Sequence, residues 1–334
     1  MDKIKKPIYK KVWFYVVAIL LLFVIIFGIV LSTSYAIAEI VMDIVCNDKN
    51  PSTPENYSEI LLLTDKIANV EYSSKFGENI LDIISPKNNS QKLPLIVYIH
   101  GGYYTSGDKL TKEAYCRVIA QKGYVVANIN YLLSPEAVYP TQLIQVNDAI
   151  KFLLDNATKY NIDSDKIFIG GDSAGGHLSG QLGCLYTNEA FANKLSLTPV
   201  IKPDQLKGVL LLCGFFNFYT VRDTNFPLLN QAMWMFTGVK EYENSPYAGL
   251  IDTISNVNAD YPDTYIICGD YDPFYKQNQE MSAKLKSLGV NVVDYLPTTT
   301  SDKLQHEFQS NFDLKECYEG LDKLFDFLAS ASKD

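Results

Sequence analysis

Ser173 stands at the centre of Gly171-Asp172-Ser173-Ala174-Gly175-Gly176, directly after the β-branched and aromatic run Lys166 to Ile169 and before the helix-compatible stretch His177 to Leu185. A strand that breaks into glycines and resumes as a helix makes a sharp turn. Glycines two residues to either side of the serine remove the side chains that would meet neighbouring backbone, so the hydroxyl is pushed clear of the sheet. On the pentapeptide alone, a turn whose amides hold a phosphate at the helix start is an equal reading. A serine hydroxyl is a poor nucleophile at neutral pH. If Ser173 does covalent chemistry, a histidine must take its proton and an acid must orient that histidine.

The chain has three histidines. His177 falls one helical turn beyond Ser173 and points along the helix rather than back over the turn. His100 ends a strand and opens a Gly-Gly turn, a place suited to structural hydrogen bonding. His306 follows the last strand and precedes the last helix, and elimination and chain order assign it the base. The acid is expected after the penultimate strand, in Gly269-Asp270-Tyr271-Asp272-Pro273. Asp272 lies further out on that loop and is the preferred choice, with Asp270 as the alternative. Attack on a carbonyl also needs amides aimed at the oxyanion, each worth about 3 kcal/mol of barrier. Gly101 and Gly102, after the third strand, and Ala174, at the helix N-terminus, are the candidate donors.

Alternating strand and helix patterns must position these residues. Short runs around 67–72 and 79–84 open a sheet, and the nearly continuous apolar run Pro94 to Ile99 marks a strand buried on both faces. Further strands are expected over 124–129, 166–169, 208–213, 264–268 and 291–295, with helices near 111–121, 140–159, from 174, 275–288 and 313–328. This alternation predicts an α/β fold with a mostly parallel sheet and helices on both faces. In the last helix Leu314, Tyr318, Leu321, Phe325 and Leu328 recur at three- and four-residue spacing, which predicts that this face packs on the sheet. Between Phe215 and Pro262 the alternation lapses into an aromatic-rich insertion suited to roofing a site.

Composition excludes other classes. The net charge of −9 is strongly uneven, because the first eleven residues hold five lysines against Asp2 alone. The acidic remainder, without a basic stripe, argues against a nucleic-acid partner. Six cysteines form no Cys-x-x-Cys pair and have no histidine at ligand spacing, so neither a metal nor an organic cofactor is expected, and buried thiols are favoured over disulfides.

From Val12 to Leu31 there is no charged residue. At about 1.5 Å per residue this run spans roughly 30 Å, the thickness of a bilayer core. An uncleaved anchor is preferred over a signal peptide, whose apolar core is usually about 7 to 15 residues, although Ala36-Ile37-Ala38 offers a small-x-small cleavage site. Lysines before the segment and acidic residues after it place the N-terminus in the cytoplasm and the rest of the chain outside it.

Together, His100-Gly101-Gly102, Tyr131-Leu132-Leu133-Ser134-Pro135-Glu136, Gly171 to Gly176, Asp272-Pro273 and His306-Glu307-Phe308 resemble the hormone-sensitive-lipase-like esterases of the α/β-hydrolase superfamily over about residues 60 to 330. The resemblance implies carboxylic ester hydrolysis through an acyl-enzyme, with Ser173 as nucleophile, Asp272 as acid, His306 as base and the His-Gly-Gly amides as oxyanion hole, and it implies short acyl chains. It also implies arginine where Leu132 stands, a third small residue where Tyr103 stands, and glycine where Glu307 stands. The expected organisation is a basic tail at 1–11, a transmembrane anchor at 12–31, a juxtamembrane segment and linker at 32–58, and an α/β-hydrolase catalytic domain at 59–334. The expected partners are a small-molecule or lipid-like ester and the membrane. A peptidase or carbohydrate deacetylase on the same residues, or a catalytically silent binding module, is the alternative function.

Overall fold

The structure is a computed structural model that describes residues 8–46, 52–298 and 303–333. The first lysines of the basic tail, residues 47–51 of the expected linker and residues 299–302 of the polar loop before His306 lie outside the described residues.

The chain opens with helices α1 (Ile8–Thr33), α2 (Ala36–Cys46) and α3 (Tyr57–Leu63) and enters the sheet through β1 (Thr64–Glu71), β2 (Ile80–Pro86) and β3 (Leu93–Ile99). Alternation follows: α4 (Glu113–Ala120), β4 (Val125–Ile129), α5 (Thr141–Asp155), β5 (Ile162–Asp172), α6 (Ala174–Thr187), α7 (Glu189–Leu195) and β6 (Leu206–Leu212). The insertion contributes α8 (Leu229–Thr237) and α9 (Ala248–Ile251), and the fold closes with β7 (Thr264–Ile267), α10 (Tyr275–Ser287), β8 (Val292–Tyr295) and α11 (Lys315–Ala331). The eight strands lie in the order β1-β2-β4-β3-β5-β6-β7-β8. β1 and β2 run antiparallel at one edge, and the pairs from β3/β4 to β7/β8 are parallel.

Period-two side chains separate the two cores. In β3, Leu95, Val97 and Ile99 join the layer under α5, α6 and α10, while Ile96 and Tyr98 face α4 and α11. Each fully buried aliphatic chain contributes about 1.5–3 kcal/mol relative to exposure, so both faces must be covered. All the expected strands form. β5 starts four residues earlier than its apolar core, because Ile162 and Asp163 pair with Leu93 and Pro94 ahead of a register irregularity. In α11 Leu321 and Leu328 of the expected face are buried and Leu314 and Phe325 pack against the same core, but Tyr318 is 41% exposed and Cys317, Gly320 and Leu324 are buried beside it. A small thiol and a glycine let the helix sit closer to β7 than tyrosine would.

Because the central strands are parallel, the loops after β3, β5, β7 and β8 emerge at one edge of the sheet. These loops carry the four segments singled out above.

Candidate active site

Ser173 adopts φ 52° and ψ −115° between β5 and α6. A non-glycine residue held there costs on the order of 1–3 kcal/mol, which the surrounding packing must offset. The turn is possible because a Cβ on either Gly171 or Gly175 would collide with the Ile99 carbonyl of β3. The Ser173 amide donates to the Leu212 carbonyl at 2.8 Å, tying the turn to β6.

Ser173, His306 and Asp272 come together from three different loops. His306 Nε2 lies 2.8 Å from Ser173 Oγ, and His306 Nδ1 lies 2.7 Å from Asp272 Oδ2. An ionised carboxylate only accepts, so Nδ1 carries the proton and Nε2 is left to accept from the serine hydroxyl. Asp272 is buried, and its other oxygen accepts the Phe274 amide at 2.8 Å, which fixes the carboxylate in place. Phe226 and Phe274 approach the imidazole edge-to-face at 5.0 and 5.6 Å. Burial disfavours a charged His306, yet its pKa lies above the ordinary 6.5, raised by neighbouring Cys213 and by Asp272. Since burial also pushes the Cys213 thiol up and keeps it neutral, the charge that acts on His306 is that of Asp272.

Asp270, the alternative acid, is turned to the chain: its Oδ1 accepts the Leu304 amide at 3.3 Å. The other two histidines are structural. Tyr104 donates to His177 Nδ1 at 2.7 Å while Nε2 donates to the Ile251 carbonyl at 2.9 Å, and burial lowers the His177 pKa to about 4. His100 donates from Nδ1 to the Gly101 carbonyl at 2.7 Å, stacks on Tyr131, and is likewise lowered to about 4 by burial.

The oxyanion assignment needs one correction. The Gly101 amide donates to Asp172 Oδ2 at 3.1 Å and is therefore committed to a buried carboxylate. Gly102, at φ 115°, lines the cavity beside Ser173 and its amide has no acceptor among the described residues. Ala174 is the first residue of α6, where the amide has no partner within the helix. Of the three candidate amides, those of Gly102 and Ala174 are the ones not committed to Asp172.

Asp172 also exposes a group that sequence reasoning missed. It accepts from Tyr98 Oη at 2.8 Å and lies 3.0 Å from Lys112 Nζ, which in turn lies 2.6 Å from Glu307. One buried ammonium therefore bridges the residue before Ser173 and the residue after His306. Burial opposes charge on Lys112, but the two carboxylates prevail and raise its pKa. Burial pushes Asp172 up to about 7 against the pull of Lys112, with Glu307 adding to the rise. For Glu307, burial is outweighed by Lys112 and His306, and it falls to about 2. Glu307 sits at φ 62°, the conformation that glycine would adopt without strain.

A cavity of about 800 Å³ opens over Ser173 and His306. Tyr103, Phe226 and Pro227 form its aromatic side, and Thr111, Lys112, Asn311 and Asp313 a polar one. Among the described residues the insertion contributes Phe226 and Pro227 to the cavity wall, while Phe216, Phe218 and Phe236 are core. Side-chain donor atoms of Cys213, Asp272 and His306 lie within 4.8 Å of one another. A cation there would have to break the Asp272–His306 hydrogen bond and ionise a thiol that burial holds protonated. The donor set therefore does not fit a metal. The five described cysteines away from Cys46 are buried and free.

The family model BD-FAE matches residues 81–287, a span that contains the Ser173 turn and Asp272. The chain belongs to the BD-FAE family. Among relatives of this BD-FAE chain, a putative α/β hydrolase of Acanthamoeba polyphaga mimivirus is 29% identical over 220 residues, covering 62% of this chain and 60% of that protein. Versiconal hemiacetal acetate esterase of Dothistroma septosporum is also 29% identical over 220 residues, covering 61% and 64%. The chain thus spans less than two thirds of the length of these relatives. The crystal structure of esterase B from Lactobacillus rhamnosis superposes with a TM-score of 0.74 at 19% identity, covering 89% of this chain and 91% of that one. The fold is accordingly that of α/β-hydrolases.

Proposed function

We propose that this protein is a membrane-anchored serine carboxylesterase acting on esters of short acyl chains. The observation that carries the reading is the relay of two hydrogen bonds, 2.8 Å from Ser173 Oγ to His306 and 2.7 Å from His306 to Asp272. Ser173 Oγ attacks the ester carbonyl as its proton passes to His306 Nε2, and Asp272 stabilises the imidazolium. The Gly102 and Ala174 amides donate hydrogen bonds to the oxyanion that develops on the carbonyl oxygen. His306 returns the proton to the departing alcohol, leaving an acyl group on Ser173. Water then attacks the acyl carbon as its proton passes to His306 Nε2, and that proton returns to Ser173 Oγ as the acyl–Oγ bond breaks and the acid leaves. Each step uses side chains and backbone amides of this chain alone.

A short acyl group is supported by the aromatic end of the cavity, where the Tyr103 and Phe226 rings meet at 5.1 Å, and by a relative that is named an acetate esterase. Anchoring is supported by α1, in which the large apolar side chains from Val12 to Ile29 are all exposed. The lysine excess before the span supports an N-terminus in the cytoplasm and a catalytic domain on the other side. The test is turnover of nitrophenyl acetate, an acetylated glycan and a prolyl peptide by the detergent-solubilised full chain and by Ser173→Ala. Hydrolysis of the acetate ester that disappears in the variant is expected. Turnover of the glycan or peptide alone would move the reading to a deacetylase or peptidase.

A further inference from the structure

Helix α2 is apolar on two opposite sides. Ala38 and Met42 are buried against Ala232 and Met235 of α8, with Tyr35, Tyr103 and Leu228 packed around them, and Met42 Sδ accepts from Thr105 Oγ1 at 3.3 Å. On the far side, Ile40 and Ile44, one turn apart, are 60% and 72% exposed, and Ile37 extends the same strip. Glu39 and Asp43 occupy one flank rather than the strip itself. A solvated helix would place its charges where these isoleucines stand.

Chain continuity names what covers that strip. α1 ends at Thr33 and α2 begins at Ala36, with only Ser34 and Tyr35 between them, and the Ser34 amide still bonds back to the Val30 carbonyl at 2.8 Å. The polar break Thr33-Ser34 is followed by Tyr35, whose ring meets Trp234 of α8 edge-to-face at 5.1 Å, and Lys240 lies over Trp234 at 5.3 Å. Tyrosine, tryptophan and lysine gathered at the end of an apolar span are the residues that favour the headgroup layer.

We infer that the outer face of α2, with Tyr35 and Trp234 beside it, lies in the lipid headgroup region and holds the mouth of the Ser173 cavity at the bilayer, so that the substrates are amphipathic esters drawn from the membrane. The inner face of the same helix supports Tyr103, which lines that cavity next to Gly102. One short helix therefore connects the lipid surface to the wall of the site. This inference rests on the esterase reading and on α1 as an anchor.

The test uses the full chain reconstituted in phosphatidylcholine vesicles and the double variant Ile40→Glu/Ile44→Glu, whose sites are exposed and outside the catalytic machinery. Turnover of a short-chain diacylglycerol dispersed in the vesicles should fall about tenfold or more, while turnover of soluble nitrophenyl acetate stays within about twofold. Equal effects on the two substrates, or none on either, overturn the inference. A readout independent of activity is an environment-sensitive fluorophore on Ile44→Cys in a Cys46→Ser background, compared with one on Lys151→Cys. Quenching by a lipid-phase spin label at position 44 and not at 151 is expected; equal accessibility of both to an aqueous quencher overturns the inference. If wild-type protein hydrolyses neither ester but position 44 is quenched from the lipid phase, the esterase reading fails while the docking stands.

Discussion

Replacing Lys112 by methionine removes the one cation held between Asp172 at 3.0 Å and Glu307 at 2.6 Å and leaves two carboxylates facing each other. Breaking a buried ionic cluster by removing one partner costs about 3–5 kcal/mol. The Glu307 side chain is 29% exposed and water can solvate part of its charge, which argues for the lower end, about 3 kcal/mol. For a domain of this size that corresponds to a melting temperature lower by roughly 5 °C. The deficit should depend on pH. Asp172 is already raised to about 7 in the native protein, so its folded form loses stability as pH rises from the unfolded value toward 7 and then levels off. Without Lys112 the Asp172 pKa moves higher still, and above pH 7 only the variant goes on losing stability, by about 1.4 kcal/mol per pH unit. Because the cluster touches the residues beside both Ser173 and His306, displacement of either should lower kcat by about tenfold to a hundredfold with little change in KM. Thermal melts at pH 6 and 8.5 and steady-state kinetics on nitrophenyl acetate measure all three effects. A kcat within twofold of wild type, with melting unchanged at pH 8.5, would refute the reasoning that Lys112 holds the two loops in register.

Other perturbations probe the rest of the site. Asp272→Asn should lower kcat by about 10³–10⁴, whereas Asp270→Asn, whose Oδ1 faces the Leu304 amide rather than His306, should retain most activity; the reverse order in side-by-side kinetics would reassign the acid. His306 must be neutral to accept the serine proton, and its pKa is raised above 6.5, so kcat/KM should fall as pH drops through a value above 6.5. That acid limb should move down in the residual activity of Asp272→Asn, and a limb that stays in place would remove Asp272 as its cause. Gly102→Ala, which forces a Cβ into the Ser106 carbonyl at a φ of 115°, should cost about 10²–10³ in kcat by shifting one oxyanion donor. Unchanged kcat in that variant would point to other donors.

Much of this arrangement is legible in the residues. The strands are readable because Leu95 to Ile99 is an apolar run and Val125 to Ile129 is apolar apart from Asn128, and parallel order then sends the loops bearing Ser173, Asp272 and His306 to one edge. Spacing says which residues reach a turn, but it does not say which way an amide points. Spacing thus makes Gly101 an oxyanion donor, although the Asp172 carboxylate, one residue before the serine, accepts its hydrogen bond. In the sequence Lys112 is one lysine at the start of a helix, with nothing beside it that marks its partners. Its partner left a trace in the sequence, since Glu307 stands where the family resemblance implies glycine, and a carboxylate at a positive φ needs a reason. Asp172, between a buried glycine and the nucleophile, was the second half of that trace. In α11 only Tyr318 departs from the expected face, because Cys317 and Gly320 carry less hydrophobic weight but fit closer to the sheet.

The central claim is that Ser173 is a nucleophile activated by His306. Incubating the full chain with a fluorophosphonate probe and mapping the adduct by peptide mass spectrometry tests it most directly. A single adduct on Ser173, absent in His306→Ala and accompanied by loss of ester hydrolysis, is the predicted result. No adduct on the folded protein, or full ester turnover by Ser173→Ala, would contradict the account.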